Sequence, residues 1–343
     1  MDVLYRIFEF NLDYSPMSTK YLLLVLVINL LSAAAYAQHE ADVWQFGEYS
    51  GYSFDTSPPT VTHNSAMFAW ESCASICDRK TGKLLLYTDG EVLYNGQHQS
   101  LFSKLKSRNS STQGCIILPK PGSKSNYFIV TVNDVSGDTA APKGMWFTEI
   151  KLNNNGTAKI LQENVELLPS CSEKLTAYYD CDRKKFIVVA HSLNDNIFYL
   201  FTISNKGFNT KSKEIAIGVK NSYAGYGTGM LKISPNGKYL VMASGDQFLL
   251  EVFDINIEDC SIFKSRVIIN DTLNKQFKPY GISFSPNNRY VYVSTIFALQ
   301  VGFGAIIQYD LSKLPDTIPS TRISPDNLPL YTSYACLQNA PDG

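Results

Sequence analysis

LKISPNGKYLVMAS (Leu231–Ser244) holds a strand, a tight turn and a second strand in one short stretch. Pro235 presets φ for an early turn position, and Asn236 and Gly237 tolerate the positive φ that a chain reversal needs. Tyr239 to Ala243 then reads as a largely buried strand. The unit returns as ISFSPNNRYVYVST (Ile282–Thr295) and begins again at LQNAPDG (Leu337–Gly343).

Working outward, the same meander is found three more times. Glu71–Cys77 and Lys83–Thr88 flank a turn at Asp78–Gly82, and the hairpin turn Asp89-Gly90 leads into Glu91–Tyr94. Thr112–Leu118, Tyr127–Val132 and Met145–Leu152 form the next unit, and Lys174–Tyr179, Phe186–Ser192 and Ile197–Ile203 the one after. From Leu84 through Tyr127, Phe186, Tyr239 and Tyr290, the second strands start 43, 59, 53 and 51 residues apart. A four-stranded antiparallel unit at this period is the signature of a β-propeller. An immunoglobulin-type sandwich alternates strands and turns but does not repeat one strand-turn-strand unit. Five units are complete, a sixth opens at Pro341-Asp342-Gly343, and outer strands across Trp44–Phe54 belong to a shared closing blade. The expectation is therefore an all-β propeller of four-stranded antiparallel blades, seven when intact and truncated in the last blades.

The start of the chain reads differently. Met17–Lys20 is a short cationic segment, Tyr21–Leu31 an apolar one, and Ala35-Tyr36-Ala37 a cleavage site, so residues 17–37 are expected to be a signal peptide. Residues 1–16, which place Glu9 and Asp13 ahead of the basic residue, read as a mis-assigned upstream extension with Met17 as the true start. The expected mature domain is 38–343, exported through a Sec signal peptide, C-terminally incomplete, and without a transmembrane segment.

A formal net charge of −1 argues against a nucleic-acid surface, which needs a basic excess. The 13% aromatic content suits strands with many Tyr and Phe. The seven cysteines read as small buried strand residues with at most one or two bridges, and Cys73-x3-Cys77 has no matching second pair for zinc.

In a propeller the innermost strand of each blade faces the channel, and residues at its start converge on one mouth. Glu71, Gln113, Glu173, Lys174, Thr228 and Tyr280 hold those positions. They either line a polar funnel for a ligand or a partner's loop, or satisfy one another and ordered water; the second reading is the more economical. His191, after the strand FIVVA, reads as a hydrogen-bonded structural residue. The chain has no G-x-S-x-G elbow and no H-E-x-x-H helix, no metal or cofactor is expected, and Asn153-Asn154-Asn155-Gly156 lacks calcium ligands. Three N-x-S/T triplets, at Asn109, Asn155 and Asn270, read as exposed loops.

TGKLLLYTDGEVLYN (81–95), SSTQGCIILPKPGSKSNYFIVTV (110–132), SEKLTAYYDCDRKKFIVVAH (172–191), GTGMLKISPNGKYLVMAS (227–244) and YGISFSPNNRYVYVST (280–295) resemble the N-terminal propeller of large secreted Bacteroidetes surface proteins. The resemblance runs from Val43 to Gly343. It implies an extracellular or cell-surface, adhesin-like parent carrying PKD repeats and a gliding-motility-type domain sorted by type IX secretion, and it brings no catalytic residues. The expected function is accordingly a non-enzymatic binding or scaffold module for a surface protein or glycan. The competing reading is a hydrolase, because RYVYVST (289–295) also resembles the repeat of lactonase-type propellers, with Glu71, Glu173 and His191 as its candidates.

Overall fold

A computed structural model describes residues 39–135, 143–220, 227–270, 273, 277–296, 304–314, 318–325 and 333–341. The signal-peptide expectation at 17–37 lies outside them, as do the last two residues of the Pro341-Asp342-Gly343 turn. The described strands form six antiparallel sheets, five of four strands and one of three, and the architecture is a β-propeller. Among the described residues, no helix is long and apolar enough to cross a membrane.

In chain order, blade 1 is Val43–Phe46, Ser50–Ser53 and Thr60–Thr62, and blade 2 opens at Ala74–Cys77. Blades 3, 4, 5 and 6 open at Cys115–Pro119, Leu175–Asp180, Leu231–Ile233 and Lys278–Phe284. Each of the four-stranded blades 2 to 6 runs as a meander from its first strand, so their turns joining strands one and two share one end of the blade. The loops joining strands two and three share the other end with the crossovers to the next blade.

Among the described residues there are six blades and not the expected seven. Tyr280 of blade 6 bonds directly to Glu71 at the entry to blade 2. The stretch expected to open a unit of its own, Leu337–Gly343, forms no strand over its described residues, nor do the residues from Ser333 that lead into it. It lies along blade 6 instead, where Ser294 Oγ donates to Ala335 O at 2.6 Å and Asn339 Nδ2 donates to Phe284 O at 2.6 Å.

The repeated turn explains itself chemically. Gly237 sits at φ +67° with its N–H on Ser234 O, and Ser234 Oγ donates to Asn236 Oδ1 while accepting from Tyr239 N. Blade 6 repeats the arrangement with Ser285 and Asn287, and Asn288 at φ +62° takes the glycine's place. Asparagine is one of the few residues that tolerate this left-handed conformation.

Second strands such as Phe128–Val132 are buried on both faces, which is why they are continuously apolar instead of alternating. The core is a series of inter-blade layers: Phe128, Val130 and Phe147 against Val188 and Phe201, then Ile187, Val189 and Phe198 against Leu240 and Phe253, and so on around the ring. Each such buried side chain contributes about 1.5–3 kcal/mol of transfer free energy. All seven cysteines are free, with four buried and three exposed, so no bridge of the expected one or two supplements the core.

Candidate functional site

The residues that precede or start the inner strands are linked to neighbouring segments by hydrogen bonds. Tyr280, 4% exposed, donates its hydroxyl to Glu71 Oε2 at 2.5 Å and also reaches the side chain of Thr112. Burial raises the Glu71 carboxyl above its usual range; the Tyr280 bond opposes this, and the charge of Asp134 adds to it. The Tyr280 phenol is itself pushed well up, first by burial.

Glu173 is 1% exposed. Its Oε2 accepts from Thr112 N and Thr112 Oγ1, both at 2.8 Å, and its Oε1 from Val135 N at 3.0 Å. Burial outweighs those three donors and pushes the carboxyl up to about 7. Lys174 beside it is equally buried and donates to Gly227 O at 2.7 Å and Thr228 O at 3.0 Å, and burial brings its ammonium down to about 8. Thr228 Oγ1 donates to Asp246 Oδ2 at 2.6 Å, and Lys278 pairs with the same carboxylate at 3.0 Å.

Gln113 is a staple across blade 4. Its Oε1 accepts from Leu175 N at 3.3 Å and Leu231 N at 2.6 Å, and its Nε2 donates to Leu231 O at 3.1 Å. One amide side chain thus ties together the inner strands of three blades. Cys336 adds a contact from the C-terminal stretch, its thiol lying 3.6 Å from Thr112 O. All six side chains thus hydrogen-bond to neighbouring segments; Glu173, Lys174 and Tyr280 are buried, whereas Gln113 and Thr228 are half-buried and Glu71 is exposed.

His191 stands apart from the carboxylates. It is 1% exposed, its Nδ1 bonds to Ser192 O at 2.9 Å, and its ring meets the edge of Phe198 at 4.6 Å. Burial, then the charge of Lys174, lowers its pKa to about 3, so the imidazole is a neutral, very weak base. Its Nε2 has no partner among the described residues. Glu71, Glu173 and His191 share no direct hydrogen-bond partner in the described residues, though both glutamates feel Asp134. Nor do the described residues group three His, Cys, Asp or Glu side chains in a way that could hold a metal.

A solvent-open cavity of about 490 Å³ is lined by Glu91, Ser103, Leu105, Ser107, Arg108, Asn109 and Ser110. The lining belongs to the second-to-third-strand loop of blade 2 and its crossover to blade 3. Asn109 fixes the wall: its O accepts from Glu71 N at 2.8 Å and Ser72 N at 3.0 Å, and its N donates to Glu91 Oε1 at 3.1 Å. Ser110 Oγ donates to Asp134 Oδ2 at 2.8 Å, and Ser107 Oγ to Val132 O at 2.7 Å. Six of the seven lining residues are polar, including one acid and one base, which suits a hydroxyl-rich ligand better than an apolar one. Sequence reasoning did not single these residues out. The available signal was the run SKLKSRNSST (103–112), a polar crossover of which only the Asn109 triplet was weighed.

No protein-family model matches the chain, and neither does any curated protein. Among solved structures, it is similar to a candidate 6-phosphogluconolactonase of Bacteroides uniformis ATCC 8492, at 12% identity over 82% of this chain and 80% of that one, with a TM-score of 0.48. A second candidate 6-phosphogluconolactonase, from Bacteroides fragilis NCTC 9343, matches at 12% over 83% and 80%, with a TM-score of 0.47. An auxiliary nutrient binding protein of Bacteroides thetaiotaomicron VPI-5482 matches at 9% over 82% and 63%, with a TM-score of 0.44. At these identities and scores the names describe those proteins and not this one.

Proposed function

We propose that the chain is a non-enzymatic binding module, exported and displayed at the cell surface or outside it, which engages its ligand on the loop-bearing face of the propeller. The observation that carries this reading is the contrast between the two polar sites. Glu173, Lys174 and Tyr280 in the channel are buried and hydrogen-bonded, whereas the cavity at Glu91 and Arg108 to Ser110 opens to solvent. Export rests on the signal at 17–37, and a longer adhesin-like parent rests on the resemblance of the repeats to secreted surface propellers.

Hydrolysis of a ring ester needs a base within reach of the attacking water and a group to receive the developing charge. Glu173 holds three donors of its own, and His191 faces a phenyl ring. The test is hydrolysis of glucono-1,5-lactone and of 6-phosphogluconolactone by the wild-type chain and by Glu71→Gln, Glu173→Gln and His191→Ala. The expected rate is that of buffer for all four proteins. Hydrolysis above buffer that falls in these variants would replace the binding reading with the hydrolase one.

A further inference from the structure

Three exposed aromatic rings stand on segments that are hydrogen-bonded, through Asn109, to the cavity wall. Tyr49, in the first turn of blade 1, is 50% exposed, Phe68 is 38% exposed and Trp70 is 73% exposed. Their centroids follow one another at 6.1 Å from Tyr49 to Phe68 and 6.2 Å from Phe68 to Trp70. The row is held by backbone: Tyr49 N donates to Met67 O at 3.0 Å and Ala69 N to Gly47 O at 2.9 Å, so the two segments that carry the rings are paired.

The row and the cavity are physically joined. Asn109, in the cavity wall, donates its Nδ2 to Phe68 O at 3.2 Å and accepts at its O from Glu71 N, bracketing Trp70 from both sides. At the other end, Tyr49 and Glu91 both lie close enough to Tyr94 to act on its phenol.

Large exposed aromatics are costly to leave in water and mark contact surfaces when they cluster. What they contact is decided by what lies between them. A protein interface has an apolar core with a polar rim, whereas here the apolar rings are tied to the wall of a polar cavity. A pyranose ring has the matching chemistry, an apolar C–H face that stacks on an aromatic ring and hydroxyls around its edge that bond to planar polar side chains. Glu91 and Arg108 offset one another in the cavity, Lys278 partly offsets Glu71, and the further acid Asp134 leaves no basic excess to hold uronic or sulfated chains, so the charge favours uncharged sugars.

Resting on the binding reading above, we infer that Tyr49, Phe68 and Trp70, with the Glu91–Asn109 wall, form a binding site for a neutral glycan. Trp70, the most exposed of the three, stacks on one sugar unit, Phe68 and Tyr49, turned by 69° and 55° along the row, contact its flank, and the cavity takes the hydroxyl edge.

The test is affinity electrophoresis of the full chain through gels holding β-1,3-glucan, xylan, galactomannan or starch, with alginate and dextran sulfate as acidic comparators. At least one neutral polysaccharide is expected to retard the protein. Trp70→Ala and Phe68→Ala should each weaken that binding about tenfold or more, as truncating a central aromatic anchor does. Circular dichroism of the variants verifies that they fold. Retardation by no neutral polysaccharide, or by the acidic ones alone, overturns the inference. So does binding that survives Trp70→Ala but is lost in Glu91→Ala or Arg108→Ala, although the binding-module reading then stands. Self-association abolished by Trp70→Ala, with no glycan bound, assigns the rings to a protein interface and overturns it too. The lactone assay fails or holds independently of all these outcomes.

Discussion

The Tyr280 hydroxyl donates to Glu71 Oε2 at 2.5 Å, and the two residues are 209 positions apart in sequence. The bond ties the inner strand of blade 6 to the entry of blade 2. It makes the channel mouth part of what holds the ring in register.

Tyr280→Phe keeps the buried ring and removes the one donor. Glu71 can turn to water, so the expected loss is modest, about 1 kcal/mol in urea unfolding. A variant as stable as wild type would mean that the bond adds nothing to closure.

Gln113→Ala should cost more, because it strands three backbone groups at once, the N–H groups of Leu175 and Leu231 and the Leu231 carbonyl. About 2–3 kcal/mol is expected from the same unfolding measurement. Gln113→Glu preserves the acceptor but sets an oxygen against Leu231 O, so it should also destabilise, most clearly at neutral pH where the carboxylate is charged. Full stability in Gln113→Glu would argue against the staple.

Glu173 gives the stability a definite pH dependence. Its folded-state pKa is raised to about 7 from an ordinary 4.5, so between those values the folded chain binds the extra proton. Its contribution is present below about 4.5 and is lost as pH rises through about 7, for a total of up to about 3 kcal/mol. Urea midpoints taken from pH 4.5 to 7.5 should fall more steeply for wild type than for Glu173→Gln. Parallel curves would show that the three donors hold the carboxylate ionised after all.

The cysteines should separate by environment. Cys181 is exposed and is expected to react first with a thiol reagent at pH 8. Cys73 and Cys336 also reach solvent, but protein crowds them and pushes their thiols up to about 11 and 12, so they should lag. Cys77, Cys115, Cys171 and Cys260 should react only on unfolding. Fewer than seven titratable thiols in denaturant without reductant would reveal a bridge.

The architecture was legible because its signals are local. The turn around Gly237 and its counterpart at Asn288 need particular residues at a positive φ, and the second strands are apolar throughout because both their faces are covered. The fourth strands were not read. Ala158–Leu168 and Gly207–Ala216 lie at the rim, half of their residues in water, and their sequences look like polar connections. The blade count failed for a related reason: Leu337–Gly343 carries the look of the repeat, but over its described residues it lies along blade 6 without pairing as a strand. At the channel, position in the repeat singled out Glu71, Gln113, Glu173, Lys174, Thr228 and Tyr280. Whether such side chains stay free or bond to one another depends on contacts such as Gln113 to Leu231, 118 residues away, which no local pattern encodes. The row of Tyr49, Phe68 and Trp70 is hidden in the same way, since it takes a crossover from blade 1 and a turn within it to set the rings side by side.

The most direct test of the whole account is a hydrogen-exchange footprint of the chain with saturating soluble β-glucan, xylan or galactomannan. With at least one of them, the account predicts slowed exchange in 66–72 and 103–110, and unchanged exchange at Gln113 and Glu173–Lys174 in the channel. Protection confined to the channel segments, or none with any of the three, would contradict it.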